Sequence, residues 1–330
     1  MASSSSIHRV DMLCRLVQWR VDNYDYLTWL DSNPFKMGRW NWCLTVYKNQ
    51  ICLYTKSSEV THLFASFNIH LVSFLDNGNR STSVYPEVRD LKLFKVASDF
   101  YFFWALTTPL TRKFIIEVNF VDIKTASPED AIPRSVWSEE LIENPTTCAL
   151  SRMLSENLHT DITIWASDGS VQAHRAVLAT RSPVFDKMFT HNLKEKDSFS
   201  IDIPDISIEA CKAFLTYIYT NNTQSESFII HRMELLKAAD KYDVSDLKDA
   251  CVKSLSEDID QGNVLERLQS AYLYRLPELK GICIDHLVKF GKIFDIQEEL
   301  NAFMQNADRE LVSEVFYEIL SVWKGFCISC

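Results

Sequence analysis

Chemistry in this 330-residue chain would have to come from a few places. His174, beside Arg175, has the residue type of a general base. The run Glu257-Asp258-Ile259-Asp260 has the oxygens that a hard cation needs. Cys327 and Cys330 form a CxxC pair at the end of the chain. Each has a plainer reading. His174 falls at an expected strand end, where an imidazole bonded to nearby backbone is the commoner arrangement. The carboxylate run reads as a solvated helix end. A single CxxC, without a second pair or histidines at ligand spacing, is weak support for zinc or redox work. The same last four residues fit a C-terminal lipidation box poorly, because Ser329 and Cys330 occupy its third and last positions.

Other chemistries lack their motifs. Glycine is only 7 of 330 residues, and there is no GxGxxG or P-loop to cradle a phosphate. HExxH and GxSxG are also absent. The chain therefore reads as a non-enzyme that needs no cofactor and no metal. Net charge is −10 and unevenly spread: residues 1–125 carry 14 basic and 11 acidic groups, and residues 126–330 carry 20 and 33. The acidic part would be repelled by phosphate backbones, so nucleic acid is not an expected partner. A protein with a basic face suits it better. The longest apolar run, Phe100 to Leu106, is far short of the roughly 20 residues of a membrane helix. No signal-peptide segment opens the chain. The expected location is cytoplasm, nucleus or both, with no membrane partner. The nine scattered cysteines then read as buried free thiols.

The elements change character along the chain. Residues 1–9 are serine-rich and expected to be disordered. Residues 10–125 alternate in strand fashion, as in Trp42, Leu44, Val46 and in Phe114, Ile116, Val118, Phe120. Asp76-Asn77-Gly78-Asn79 marks a turn, and an antiparallel β-sandwich follows. Residues 126–145 hold Pro128, Pro133 and Pro145 and read as a linker, with Val136, Trp137, Leu141 and Ile142 able to form one docked helix. From 146 the period becomes helical. A hairpin spans Asp161 to His174 across Ser167-Asp168-Gly169, Ser182-Pro183 starts a helix, and Ile201 and Ile203 mark a further strand. Asn263 with Glu266 resembles a capping box. Leu311, Val312, Val315, Phe316, Ile319 and Trp323 share the face of a last helix. The fold class is α+β and multidomain.

Two motif sets carry a family likeness. Thr160-Asp161-Ile162, Ala173-His174-Arg175-Ala176-Val177-Leu178-Ala179, Arg181-Ser182-Pro183-Val184-Phe185, Met188-Phe189, Ile218-Tyr219-Thr220 and Ala238-Ala239-Asp240-Lys241-Tyr242 resemble a BTB/POZ domain. This covers residues 146–256, and the helices of 257–330 look like the 3-box and BACK region of cullin-binding members. Trp19-Arg20-Val21-Asp22-Asn23-Tyr24, Phe35 with Gly38, and Trp42, Leu44 and Tyr47 resemble a MATH (TRAF-like) domain over residues 10–125. The order is similar to that of the MATH-BTB family of speckle-type POZ protein and its plant relatives. One departure stands out: no Trp-Gly-Phe segment is present, and Leu93-Phe94 lies where it should fall. The family's peptide specificity is therefore not carried over.

The resemblance implies a substrate adaptor of a cullin-3 RING ubiquitin ligase, with a BTB-dimerising scaffold or transcriptional co-regulator as the alternative. It implies a homodimer built on the first BTB helix, where Leu150, Met153, Leu154 and Leu158 share one face, with Asp161 and Arg175 as a charged pair near the dimer pocket. It implies cullin-3 contact by Leu193 and Glu195, a hydrophobic-x-Glu motif after Met188-Phe189, and by Tyr219. The substrate, an unknown protein, is expected on the N-terminal domain. That domain is rich in aromatics (Tyr85, Phe94, Phe100, Tyr101, Phe102, Phe103, Trp104), mostly core, with Tyr85 and Phe94 chosen as exposed contacts.

Overall fold

The computed structural model describes residues 10–26, 28–56, 62–75, 80–96, 99–106, 110–126, 133–137, 145–190 and 199–327, with side chains to 321. The tail 1–9, the turn Asp76–Asn79, Leu141 and Ile142, Leu193 and Glu195, and the Cys327/Cys330 side chains lie outside the described set. The chain divides into two compact units at Glu139/Glu140.

The first unit is two packed antiparallel sheets. One has the order β1 (Val10–Leu13), β2 (Leu16–Val21), β12 (Lys113–Ala126), β7 (His62–Phe74), β8 (Arg80–Val84), with β9 (Val88–Lys92) also on β7 and β13 (Arg134–Ser135) on β12. The other has the order β10 (Phe94–Val96), β11 (Asp99–Ala105), β6 (Gln50–Lys56), β5 (Trp40–Tyr47), β3 (Leu30–Asp31), with β4 (Phe35–Met37) on β5.

Alternation decides which side chains enter the space between the sheets. Trp42, Leu44 and Val46 of β5 are fully buried, as are Phe114, Ile116 and Val118 of β12. Ring contacts tie the layers together: Phe120 lies 5.3 Å from Trp42, and Phe67 lies 4.9 Å from Phe102. Simple alternation fails at Val121. The register of β12 against β7 shifts between Phe120 and Asp122, so Val121 points outward while Phe120 and Ile123 both point inward. One extra residue resets the period, as a β-bulge does.

The segment expected to be linker begins as part of this unit. β13 pairs with β12, Val136 N–H donates to Ile123 O at 2.8 Å, and the Arg15 guanidinium sits 4.2 Å above the Trp137 ring. Val136 and Trp137 follow β13 in a bend rather than in a docked helix.

The second unit opens with α1 (Pro145–Ser155) and the hairpin of β14 (Ile162–Ala166) and β15 (Ser170–Ala173). Gly169 at the hairpin tip is needed for space, since a Cβ there would meet Ile208 at 3.2 Å. Helices α2 (Arg175–Arg181) and α3 (Pro183–Thr190) follow, and Ser182 Oγ accepts from Phe185 N–H to start α3. β16 (Ser200–Ile203) then adds parallel to β14. Next come α4 (Ile208–Thr220), α5 (Glu226–Lys241) and α6 (Ser245–Glu257). Ser207 and Ser225 cap α4 and α5 by accepting from Ala210 and Phe228, the favoured arrangement for serine at that position.

The remaining helices are α7 (Val264–Leu273), α8 (Pro277–Val288), a 3-10 turn (Lys292–Phe294), α9 (Gln297–Asn306) and α10 (Arg309–Cys327). They share one continuous core with the earlier elements, running from Ile162 through Phe214 and Leu255 to Val315. The expected capping box at Asn263 does not form. Asn263 Oδ1 instead accepts from Asp260 N–H, and its amide donates to Asp258 O. The turn before α7 takes the side chain that would have capped the helix.

Candidate protein-interaction sites

Helix α1 carries no buried residue within the protomer. Leu150, Met153 and Leu154 are half-buried against the unit's core, and α1 rests on α4. Leu158, just beyond the helix, is also half-buried. An amphipathic helix covered on only part of its apolar stripe is suited to a second surface.

The end of α1 is closely specified. Leu158 N–H donates to Met153 O at 3.1 Å and Asn157 N–H to Leu154 O at 3.2 Å. Asn157 stands at φ +54°, which completes a Schellman motif. His159 is left-handed too, at φ +58°, a conformation costing a non-glycine residue about 1–2 kcal/mol.

His174 holds this turn from the hairpin side. Its Nε2 lies 2.6 Å from Leu158 O. A carbonyl can only accept, so Nε2 carries the proton, and in the neutral ring Nδ1 is then the acceptor. Tyr219 Oη, 2.7 Å from Nδ1, therefore donates to it, and the same hydroxyl accepts from the His174 backbone N–H at 2.9 Å. Burial pushes the Tyr219 phenol up to about 12, opposed by that backbone bond and reinforced by Asp161. The sequence expectation of a structural histidine is the arrangement observed.

Tyr219 itself departs from expectation. It is only 4% exposed, so it is a core residue and not an aromatic offered to a partner. The reason is helical spacing. Leu215, one turn earlier, is fully buried, and position i+4 shares its face.

Asp161 and Arg175 are adjacent, and the bond between them runs from backbone to side chain. Arg175 N–H donates to Asp161 Oδ1 at 2.8 Å, which satisfies the first N–H of α2. The Arg175 guanidinium lies 4.5 Å over the Phe189 ring. Thr190 ends α3 at the last described residue before Leu193 and Glu195.

The six-stranded sheet of the first unit turns an aromatic face outward. Phe94, Tyr101, Tyr54 and Cys43 are register partners across β10, β11, β6 and β5, so they stand in one row on one face. Phe103 stands in the next row, its ring 5.7 Å from Tyr101 and nearly parallel. Phe94 is 66% exposed and Phe103 54%. At the far corner Trp29 stacks on Tyr47 at 4.4 Å. The row ends on β10, a three-residue edge strand.

Of the two aromatics chosen from sequence, Phe94 is on this face. Tyr85 packs against the unit's core, and its hydroxyl is buried without a hydrogen-bond partner. Tyr101 and Phe103 were hidden because Phe100 to Leu106 is apolar at every position, so period-2 alternation leaves no trace.

The comparisons fit this architecture. A family model described as BTB/POZ domain matches residues 150–259. A BTB/POZ domain-containing protein of Arabidopsis thaliana is 52% identical across 98% of this chain and 100% of its own length. The chain belongs to the BTB/POZ domain-containing proteins. A second Arabidopsis thaliana protein of that name is 41% identical to this BTB/POZ protein over 96% of the chain and 98% of the relative. A "BTB and MATH domain-containing protein" of Caenorhabditis elegans is 28% identical over 75% of the chain and 62% of its own length.

No group of metal-ligating side chains occurs among the described residues of this BTB/POZ protein. No described helix is long and apolar enough to cross a membrane. The carboxylate run 257–260 is occupied structurally: Asp258 pairs with Arg232 and Arg267, and Asp260 Oδ1 accepts from Asn263 N–H.

Proposed function

We propose that this chain is a homodimeric substrate adaptor of a cullin-3 RING ubiquitin ligase, with the N-terminal sandwich acting as a MATH-type peptide-binding domain. The observation that carries the reading is the outward aromatic face of the six-stranded sheet. Phe94, Tyr101, Tyr54 and Phe103 form a contiguous surface beside a short sheet edge. An extended peptide adding next to β10 would gain main-chain hydrogen bonds from the edge and side-chain contacts from alternate aromatics. Each large apolar side chain so covered contributes about 1.5–3 kcal/mol.

The other half of an adaptor is assembly. The partly covered stripe of Leu150, Met153 and Leu154 supports a dimer through α1, with Leu158, Asp161 and Arg175 at its margin. Leu193 and Glu195 are assigned to cullin-3, with Glu195 fixing register more than affinity. Tyr219, a core residue bonded to His174, is not assigned to that contact.

Affinity purification of the full chain from its source cells, read by mass spectrometry, tests the reading. Cullin-3 and a RING protein should co-purify, and Phe94→Ala with Phe103→Ala should remove clients while leaving cullin-3 bound. A dimer that recovers clients but no cullin would turn the reading into that of a scaffold.

A further inference from the structure

We infer that His174 and Tyr219 are positioning residues for the dimer: they clamp the turn that leaves α1 and so hold the dimerising face in its competent orientation. This rests on the α1 dimer reading.

The turn at 157–159 has two left-handed, non-glycine residues around Leu158. Backbone in that region persists only where neighbouring structure over-determines it. The hydrogen bonds within the turn close α1 by binding Met153 and Leu154 carbonyls. They do not tie the turn to the rest of the unit. A hydrogen bond that does so among the described residues is the 2.6 Å one from His174 Nε2 to Leu158 O. His174 is itself fixed by the two bonds its Nδ1 and backbone N–H make with Tyr219 Oη.

The chain of contacts therefore runs from core helix α4, through Tyr219 and His174, to the carbonyl that follows the dimer helix. The relay also fixes proton positions. With Nε2–H given to Leu158 and Nδ1 receiving the phenol proton, all three donors have acceptors. No other tautomer of the neutral ring satisfies both ends. The groups facing the pair include Asp161, whose carboxylate accepts from the next backbone N–H, at Arg175, and Arg175, whose guanidinium lies over Phe189. Neither replaces the bond to Leu158.

The test uses full-length protein in sedimentation equilibrium, with amide hydrogen exchange and thermal melts on the same samples. Tyr219→Phe keeps the ring in the core but removes the hydroxyl from both His174 contacts. His174→Ala removes the tie outright. Both should weaken the dimer by about tenfold or more and raise exchange in residues 150–159, while exchange in α4 and α5 stays near wild type. Adding His159→Gly to His174→Ala should recover much of the dimer, because glycine adopts φ > 0 without strain. A purely structural role for the pair would not give that rescue.

A dimeric wild type with unchanged dimerisation in Tyr219→Phe and His174→Ala overturns the clamp alone. So does uniform loss of protection throughout the unit with no rescue by His159→Gly. A monomeric wild type overturns the dimer reading itself.

Discussion

Arg267 and Asp258 meet at 2.7 Å across the turn between α6 and α7, and the arginine is 4% exposed. Its guanidinium also donates to Leu255 O at 2.6 Å, in the last turn of α6. Asp258 is shared with Arg232 of α5. Three helices are thus joined at one carboxylate.

Removing Arg267 takes a donor from a buried carbonyl. Arg267→Met should lower unfolding stability by about 2 kcal/mol, the scale for leaving a buried polar group without its hydrogen-bond partner. Asp258 retains Arg232, but Leu255 O loses its donor. Asp258→Asn, at a more exposed position, should cost about 1 kcal/mol. Chemical denaturation of the full chain measures both. Equal, small losses would mean that Arg267 contributes packing only.

Tyr85 and Phe94 should separate cleanly. Tyr85 buries a hydroxyl that has no partner, so Tyr85→Phe should be neutral or stabilising by about 1 kcal/mol. Client recovery should be unaffected. Phe94→Ala exchanges an exposed ring, and should move stability within about 0.5 kcal/mol while reducing client recovery. A loss of clients in Tyr85→Phe would return that residue to the binding face.

The buried thiols set an alkaline limit. Burial pushes Cys211 and Cys251 up to about 12 from an ordinary value of 9.0. Folding therefore favours their protonated forms. That contribution is fully present below pH 9 and is lost as pH rises from 9 toward about 12, where the unfolded chain releases protons that the folded one keeps. Denaturation midpoints measured across this window should fall with pH, and by less in Cys211→Ala. Under native conditions a maleimide should label Cys148, which is exposed, and spare Cys211 and Cys251.

Much of the fold was legible because burial obeys simple periods. Trp42, Leu44 and Val46 alternate, the Ser182-Pro183 start marks α3, and Ile201 and Ile203 form β16. What escaped the sequence was geometry set by distant partners. The bulge at Val121 carries no local signature. Asn263 was drawn from its helix by Asp260 and Asp258. Residues 133–137 carry a proline and a tryptophan beside polar neighbours, yet β12 and Arg15 recruit them into the first unit.

The candidate site was legible in part for the same reason. The α1 stripe could be read from helical spacing, and Phe94 from its place near where the resemblance puts the groove segment. Tyr219 was misplaced because its role comes from His174, 45 residues earlier in the chain. Tyr101 and Phe103 needed the sheet register to separate them from Phe100 and Phe102.

Calorimetry of the full-length protein against the N-terminal region of cullin-3 asks whether the chain joins a cullin. Wild type should bind, and Leu193→Asp with Glu195→Lys should weaken binding by about tenfold or more, equivalent to ~1.4 kcal/mol, with dimer and melting transition unchanged. No binding by wild type, or equal binding by the double variant, would contradict the adaptor account.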